Sequence, residues 1–148
     1  MYRPGFQNLS TCTVAWLDLL SEMYWCFHCY APNTRPEGPC ERCSAEIKAP
    51  ASLTYDERLI WALGHPDGDR AMMAASLLGK RGVRQARPAL ELLVERGGDP
   101  FLAAQALRSL IELEGAEAIS DLLAAQAQSG PFLAARVATE ALERLPGR

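Results

Sequence analysis

Four of the chain's five cysteines fall within nineteen residues, "WCFHCYAPNTRPEGPCERC" (25–43), as the pairs Cys26-x2-Cys29 and Cys40-x2-Cys43. A C-x-x-C turn can present two sulfurs to one ion, and a second pair completes a tetrahedron. Thiolate suits zinc, which prefers four such ligands in structural sites. The ten residues between the pairs hold three prolines, a glycine and an asparagine, so they form a stiff loop rather than a helix. Cys26, Cys29, Cys40 and Cys43 are therefore expected to bind one Zn2+. With every ligand a cysteine, no position stays open for water or substrate, and such a site fastens a fold. His28 stands between two ligands and is expected at the surface. Cys12, the fifth cysteine, is expected to pack in an N-terminal helix.

Composition frames the site. The 148 residues are 49% hydrophobic and 22% charged, in the range of a globular protein. The net charge of −3 gives no overall basic footprint for nucleic acid. Thirteen arginines stand against two lysines, a bias expected of a GC-rich, bacterial-type genome. The apolar stretch "TVAWLDLLSEMYW" is interrupted by Asp18 and Glu22, so neither a membrane span nor a secretory signal is expected. A cytoplasmic address follows, and in a reducing compartment clustered cysteines are metal ligands rather than disulfides.

Trp25, the first cysteine pair, Asn33 after three intervening residues, and the second pair after six more resemble the Ran-binding-protein type of zinc finger. The likeness covers about nineteen residues. Here Trp25 abuts Cys26, where the family keeps one residue between them. Some members of that family bind single-stranded RNA through the tryptophan and arginines, and Arg42 fits such a position. Pro36 and Glu37 replace the family's arginine pair, and Glu41 would repel phosphate. Other members bind ubiquitin through a Thr-Phe pair, where this chain has Tyr30-Ala31. The resemblance thus implies the zinc fold without either known specificity. Trp25, Phe27 and Tyr30 are expected to make the ribbon's small core or to dock it on its neighbour.

The rest of the chain must hold this module. Residues 1–24 read as an N-terminal segment with one helix (about 13–24), 25–46 as a four-cysteine zinc ribbon and 47–53 as a linker. From 54 to 148 amphipathic helices alternate with glycine turns. Thr54 caps the first, with Leu59, Ile60 and Leu63 inward. Asp69 starts the second, with Met72, Met73, Leu77 and Leu78. Pro88 opens the third, whose apolar residues are Leu90, Leu92, Leu93 and Val94. Asp99 caps the fourth, "PFLAAQALRSLIELEG", and the sixth opens with the same five residues 31 positions later, "PFLAARVATEAL". Gly82 and Gly115 recur at a spacing of 33. Such self-similarity marks a repeat array, and about three helix pairs are near the minimum for stability.

"RAMMAASLLGKRGVRQARPALELLVERGGDPFLAAQALRSL" resembles short bacterial HEAT repeats, a type also found in bilin lyases. The resemblance spans about ninety residues and implies a mainly α fold, a short HEAT-like α-solenoid. No pigment-binding feature accompanies it. Because solenoid ends expose an apolar face, the N-terminal helix and ribbon are expected to cap the first repeat.

Two turns carry opposite charge. "KRGVRQAR" (80–87) places Lys80, Arg81, Arg84 and Arg87 without an acid, whereas "ELEGAEAISD" (112–121) has four acids and no base. These are expected either as solvated turns or as a docking edge for a charged partner. Neither His28 nor His65 stands in an acid–base or nucleophile constellation, and no phosphate-binding glycine loop follows a strand. The chain therefore reads as a non-catalytic adaptor for another protein, with no membrane partner. The alternative is a nucleic-acid-binding accessory protein using Trp25, Arg42 and the 80–87 cluster.

Overall fold

The computed structural model describes residues 24–146, and the chain divides into two compact units, Met1–Ala51 and Ser52–Arg148. In the first unit, strand β1 (Tyr24–Trp25) pairs antiparallel with β2 (Pro32–Asn33), Tyr24 opposite Asn33 and Trp25 opposite Pro32. A single bridge joins Pro39 to Glu46. Among the described residues, Cys26, Ala31, Cys40 and Ile47 form the buried core, with Tyr24, Cys29 and Cys43 packed against it.

Three expectations change here. Tyr24 is extended, so a helix cannot run to that residue; the rest of the expected N-terminal helix, and Cys12, lie outside the described residues. Ile47 belongs to the core rather than to a linker. The aromatic residue against that core is Tyr24, while Trp25 remains 55% exposed.

The second unit is helical. Helix α1 (Tyr55–Ala62) begins at a reciprocal cap. The Thr54 hydroxyl accepts from the Glu57 N–H at 3.3 Å, and the Glu57 carboxylate accepts from the Thr54 N–H at 2.7 Å. That N–H also holds the Glu57 carboxyl below its ordinary pKa. Helix α2 (Gly68–Lys80) is capped by Asp67, two residues before the expected start at Asp69. Helix α3 (Arg87–Arg96) follows a short 3-10 turn, and left-handed Gly97 (φ 57°) ends it. Helix α4 (Pro100–Glu114) starts at Asp99, whose carboxylate accepts from the N–H groups of Phe101 and Leu102. Helices α5 (Ser120–Ser129) and α6 (Phe132–Glu143) complete the unit. No described helix is long and apolar enough to cross a membrane.

The helices pack as α1 on α2, α3 on α4 and α5 on α6, while α4 also packs against both α2 and α6. One apolar core runs through all six, and Leu78, Leu90, Leu107, Leu110 and Leu123 are its largest fully buried side chains. Leu90 of α3 and Leu123 of α5 stand 33 residues apart, the spacing of Gly82 and Gly115. Leu92, expected inside, is 43% exposed because it falls off the buried stripe of Leu90 and Val94.

Helices α2 and α4 approach closely at Gly79. A Cβ there would stand 2.9 Å from the Ser109 Cα, which is backbone and cannot yield as a side chain would. Fully buried Ser109 donates to the Ala75 carbonyl at 2.8 Å, tying α4 to α2. Gly79→Ala is therefore expected to destabilise the unit by about 1–3 kcal/mol, as overpacking does. A urea titration followed by circular dichroism checks this.

Candidate metal centre

The two C-x-x-C segments fold into near-identical turns. Cys26 N–H donates to Ala31 O at 2.9 Å and Tyr30 N–H to Cys26 O at 2.9 Å. The second turn repeats this pattern, Cys40 N–H to Ala45 O at 2.8 Å and Ser44 N–H to Cys40 O at 2.9 Å. Each turn closes on a left-handed residue directly after its second cysteine, Tyr30 (φ 55°) and Ser44 (φ 60°). A side chain in that conformation costs on the order of 1–2 kcal/mol, so the surrounding turn must impose it. The backbone is curled to aim sulfur inward.

The Sγ atoms of Cys26, Cys29, Cys40 and Cys43 all lie within 4.8 Å of one another. Cys26 Sγ is 3.7 Å from Cys43 Sγ, and Cys29 Sγ is 3.7 Å from Cys40 Sγ. Those are cross-pair distances. They match the edge of a tetrahedron with metal–sulfur bonds of about 2.3 Å, roughly 3.8 Å. A disulfide would bring two sulfurs to about 2.05 Å, and all four cysteines are free thiols. The four residues fit one metal ion. His28 contributes no atom to this cluster.

Backbone donors surround the sulfurs. His28 N–H points at Cys26 Sγ (3.3 Å) and Arg42 N–H at Cys40 Sγ (3.4 Å), each two residues beyond its cysteine. Such donors stabilise thiolate. Burial would raise the Cys40 thiol, but the N–H groups of Cys43 and Arg42 and the neighbouring thiols bring it down to about 6. Cys43 goes the other way. The Ala45 N–H favours its thiolate, yet burial and the other three thiols push it up to about 12.

The consequence for metal binding has a definite sign. In the metal-free cluster the neighbouring thiols share protons, with Cys40 held low and Cys43 held high. Binding requires thiolate, so protons leave the cluster, and apparent affinity rises with pH. Below about pH 6 Cys40 must also give up a proton, and affinity falls more steeply. Isothermal titration of Zn2+ around neutral pH in two buffers of different ionisation enthalpy should show net proton release.

Asn33 holds the two turns together. It is a buried polar residue, 3% exposed. Its amide donates to Ala31 O at 2.9 Å in the first turn, and its carbonyl oxygen accepts from Glu41 N–H at 3.0 Å in the second. The equivalent amide of the first turn, Phe27 N–H, is taken by Ile47 O at 2.8 Å. The asparagine thus supplies from a side chain what Ile47 supplies from backbone.

The structure sorts the remaining candidates. Trp25 and Arg42 are exposed. The 80–87 cluster is less free than its sequence suggests. Arg81 donates to Asp56 at 2.7 Å and stacks its guanidinium 5.2 Å from the Tyr55 ring centroid. Arg87 donates to Glu91 at 2.8 Å and lies 3.8 Å from Glu114, in the acidic turn. Lys80 and Arg84 are exposed and pair with no acid among the described residues. The basic and acidic turns are therefore joined at Arg87 rather than set apart.

Met73, expected inward on α2, lies outside instead, and two phenylalanines that no motif marked join it at the surface. Met73, Phe101 and Phe132 are 66%, 63% and 76% exposed, on α2, α4 and α6. The available signal was the recurring "PF" at two helix starts, which places a phenylalanine in the first turn ahead of the buried stripe. Comparison with family models, with curated proteins and with solved structures returns no match for this chain.

Proposed function

We propose that the chain is a non-catalytic adaptor: a four-cysteine zinc ribbon fastened by its metal, joined to a short HEAT-like α-solenoid that binds another protein. The observation that carries this reading is the set of large apolar side chains left exposed on three successive packed helices, Met73, Phe101 and Phe132. Phenylalanine in water forgoes on the order of 1.5–3 kcal/mol of burial. Two of them recurring at one repeat position mark a face suited to a partner. A rigid helical array recognises by shape, and its chemistry is contact.

The metal's part follows from the ligand set. Four thiolates leave zinc no open position, so the ion would hold the two turns together and perform no reaction. One Zn2+ per chain is expected by elemental analysis of the purified protein.

Affinity capture from host lysate at low and high salt tests the function. A stoichiometric protein retained at high salt is the expected result. Nucleic acid retained at low salt and lost at high salt, with no protein, would overturn the adaptor reading in favour of phosphate contacts by Arg42, Lys80 and Arg84.

A further inference from the structure

We propose that the groove between α4 and α6 receives an acidic–hydrophobic segment of a partner protein, one apolar side chain on its floor and carboxylates at Arg108 and Arg144. This rests on the adaptor reading and names the class of segment that one surface takes. Helix α4 meets α2 and α6 differently. Against α2, Gly79 lets the backbones close up. Neither α4 nor α6 contains a glycine, and a cavity of about 300 Å³ remains between them. That is the lower end of the size range for ligand pockets, suited to a side chain rather than a cofactor.

Its floor is apolar, made by Ile111 and Ala116 on one side and Val137 and Ala141 on the other. Four charged residues stand around it, and their pairing decides the sign. Glu140 is engaged by Arg136 at 3.6 Å. The Glu112 carboxylate lies over Gly79 of α2, its Oε2 2.6 Å from where a glycine Cβ would be. Arg108 and Arg144 are exposed and pair with no acid among the described residues. The groove therefore carries two guanidiniums that hold no acid among the described residues and one carboxylate, Glu112, drawn toward Gly79, above an apolar floor. An apolar side chain flanked by carboxylates complements both features, whereas a basic segment complements only the floor. Guanidinium also binds carboxylate in a two-pronged geometry that ammonium cannot match.

The test uses the full metal-loaded chain and three fluorescein-labelled peptides. The probe is Asp-Glu-Leu-Phe-Asp; the controls are Lys-Lys-Leu-Phe-Lys and Asp-Glu-Ser-Ser-Asp. Polarisation should show the probe binding at least tenfold more tightly than either control, with saturable amide shifts at Ile111, Val137 and Ala141. The double variant Arg108→Glu with Arg144→Glu should lose at least tenfold with its circular dichroism unchanged. Arg108→Gln alone, the milder change, should lose about threefold. Absence of saturable binding, equal binding of a control, or full retention by the variants would overturn the proposal. Lysate capture separates the two levels. A partner held at high salt equally by wild type and double variant overturns the groove alone. No protein captured by either overturns the adaptor reading beneath it.

Discussion

Removing the metal, by a strong chelator or by Cys40→Ser, is expected to unfold residues 24–47 while leaving the helical unit intact. Structural zinc contributes roughly 10–16 kcal/mol of apparent binding free energy in small zinc domains at neutral pH. Against that, the described core of the first unit is Cys26, Ala31, Cys40 and Ile47, two of them candidate ligands. Strip the ion and the left-handed Tyr30 and Ser44 lose the framework that imposes their conformation. Among the described residues, the buried core of the helices runs from Leu59 to Leu142, all within the second unit. In a nitrogen–proton correlation spectrum, amide peaks of the ribbon should collapse to the narrow range of disordered chain. Peaks from α1 to α6 should hold their positions. A ribbon that stays dispersed after metal analysis reads zero would refute the structural role.

Leu107→Ala is expected to remove about 2–5 kcal/mol, against a total stability of roughly 5–15 kcal/mol for a small domain. Leu107 is fully buried on α4, the helix that packs against α2, α3 and α6. The contrast is Phe101→Ala on the same helix, a larger truncation at a side chain 63% exposed, expected within about 0.5 kcal/mol of wild type. Urea midpoints of the two variants rank the sites. If Phe101→Ala cost as much as Leu107→Ala, the exposed face would be part of the core, and the surface on which the adaptor reading stands would be gone.

What the sequence made legible was what short spacing controls. C-x-x-C fixes a turn of a few residues, so the four candidate ligands could be read directly, and the structure gathers the same four cysteines into one cluster that could hold a metal ion. Thr54 as a cap and Asp99-Pro100 are local signals too, and both helix starts fall where those residues place them. Helix α2 was harder because Asp67 and Asp69 both suit a cap, and only geometry shows Asp67 accepting from the Asp69 N–H. Leu92 was read as core from its identity, whereas the helical period sets it aside.

The larger misses are tertiary. Arg81 finds Asp56 across 25 residues of sequence, and Arg87 meets Glu114 from another turn. Neither acid lies in the 80–87 stretch, so the cluster looked uncompensated. Asn33 was legible as a motif position but not in its role, since its partners Ala31 and Glu41 belong to different turns. The groove at Arg108 and Arg144 depends on how closely two helices approach, which no single segment records.

The central claim is that the metal fastens and the helices recognise. The most direct test is capture of the host partner at high salt by wild-type chain and by chain stripped of its metal, side by side. The account predicts the same protein at similar stoichiometry in both, because the contact surface belongs to α2, α4 and α6. Loss of the partner on stripping, with the helical spectrum unchanged, would contradict it and make the ribbon the recognition element.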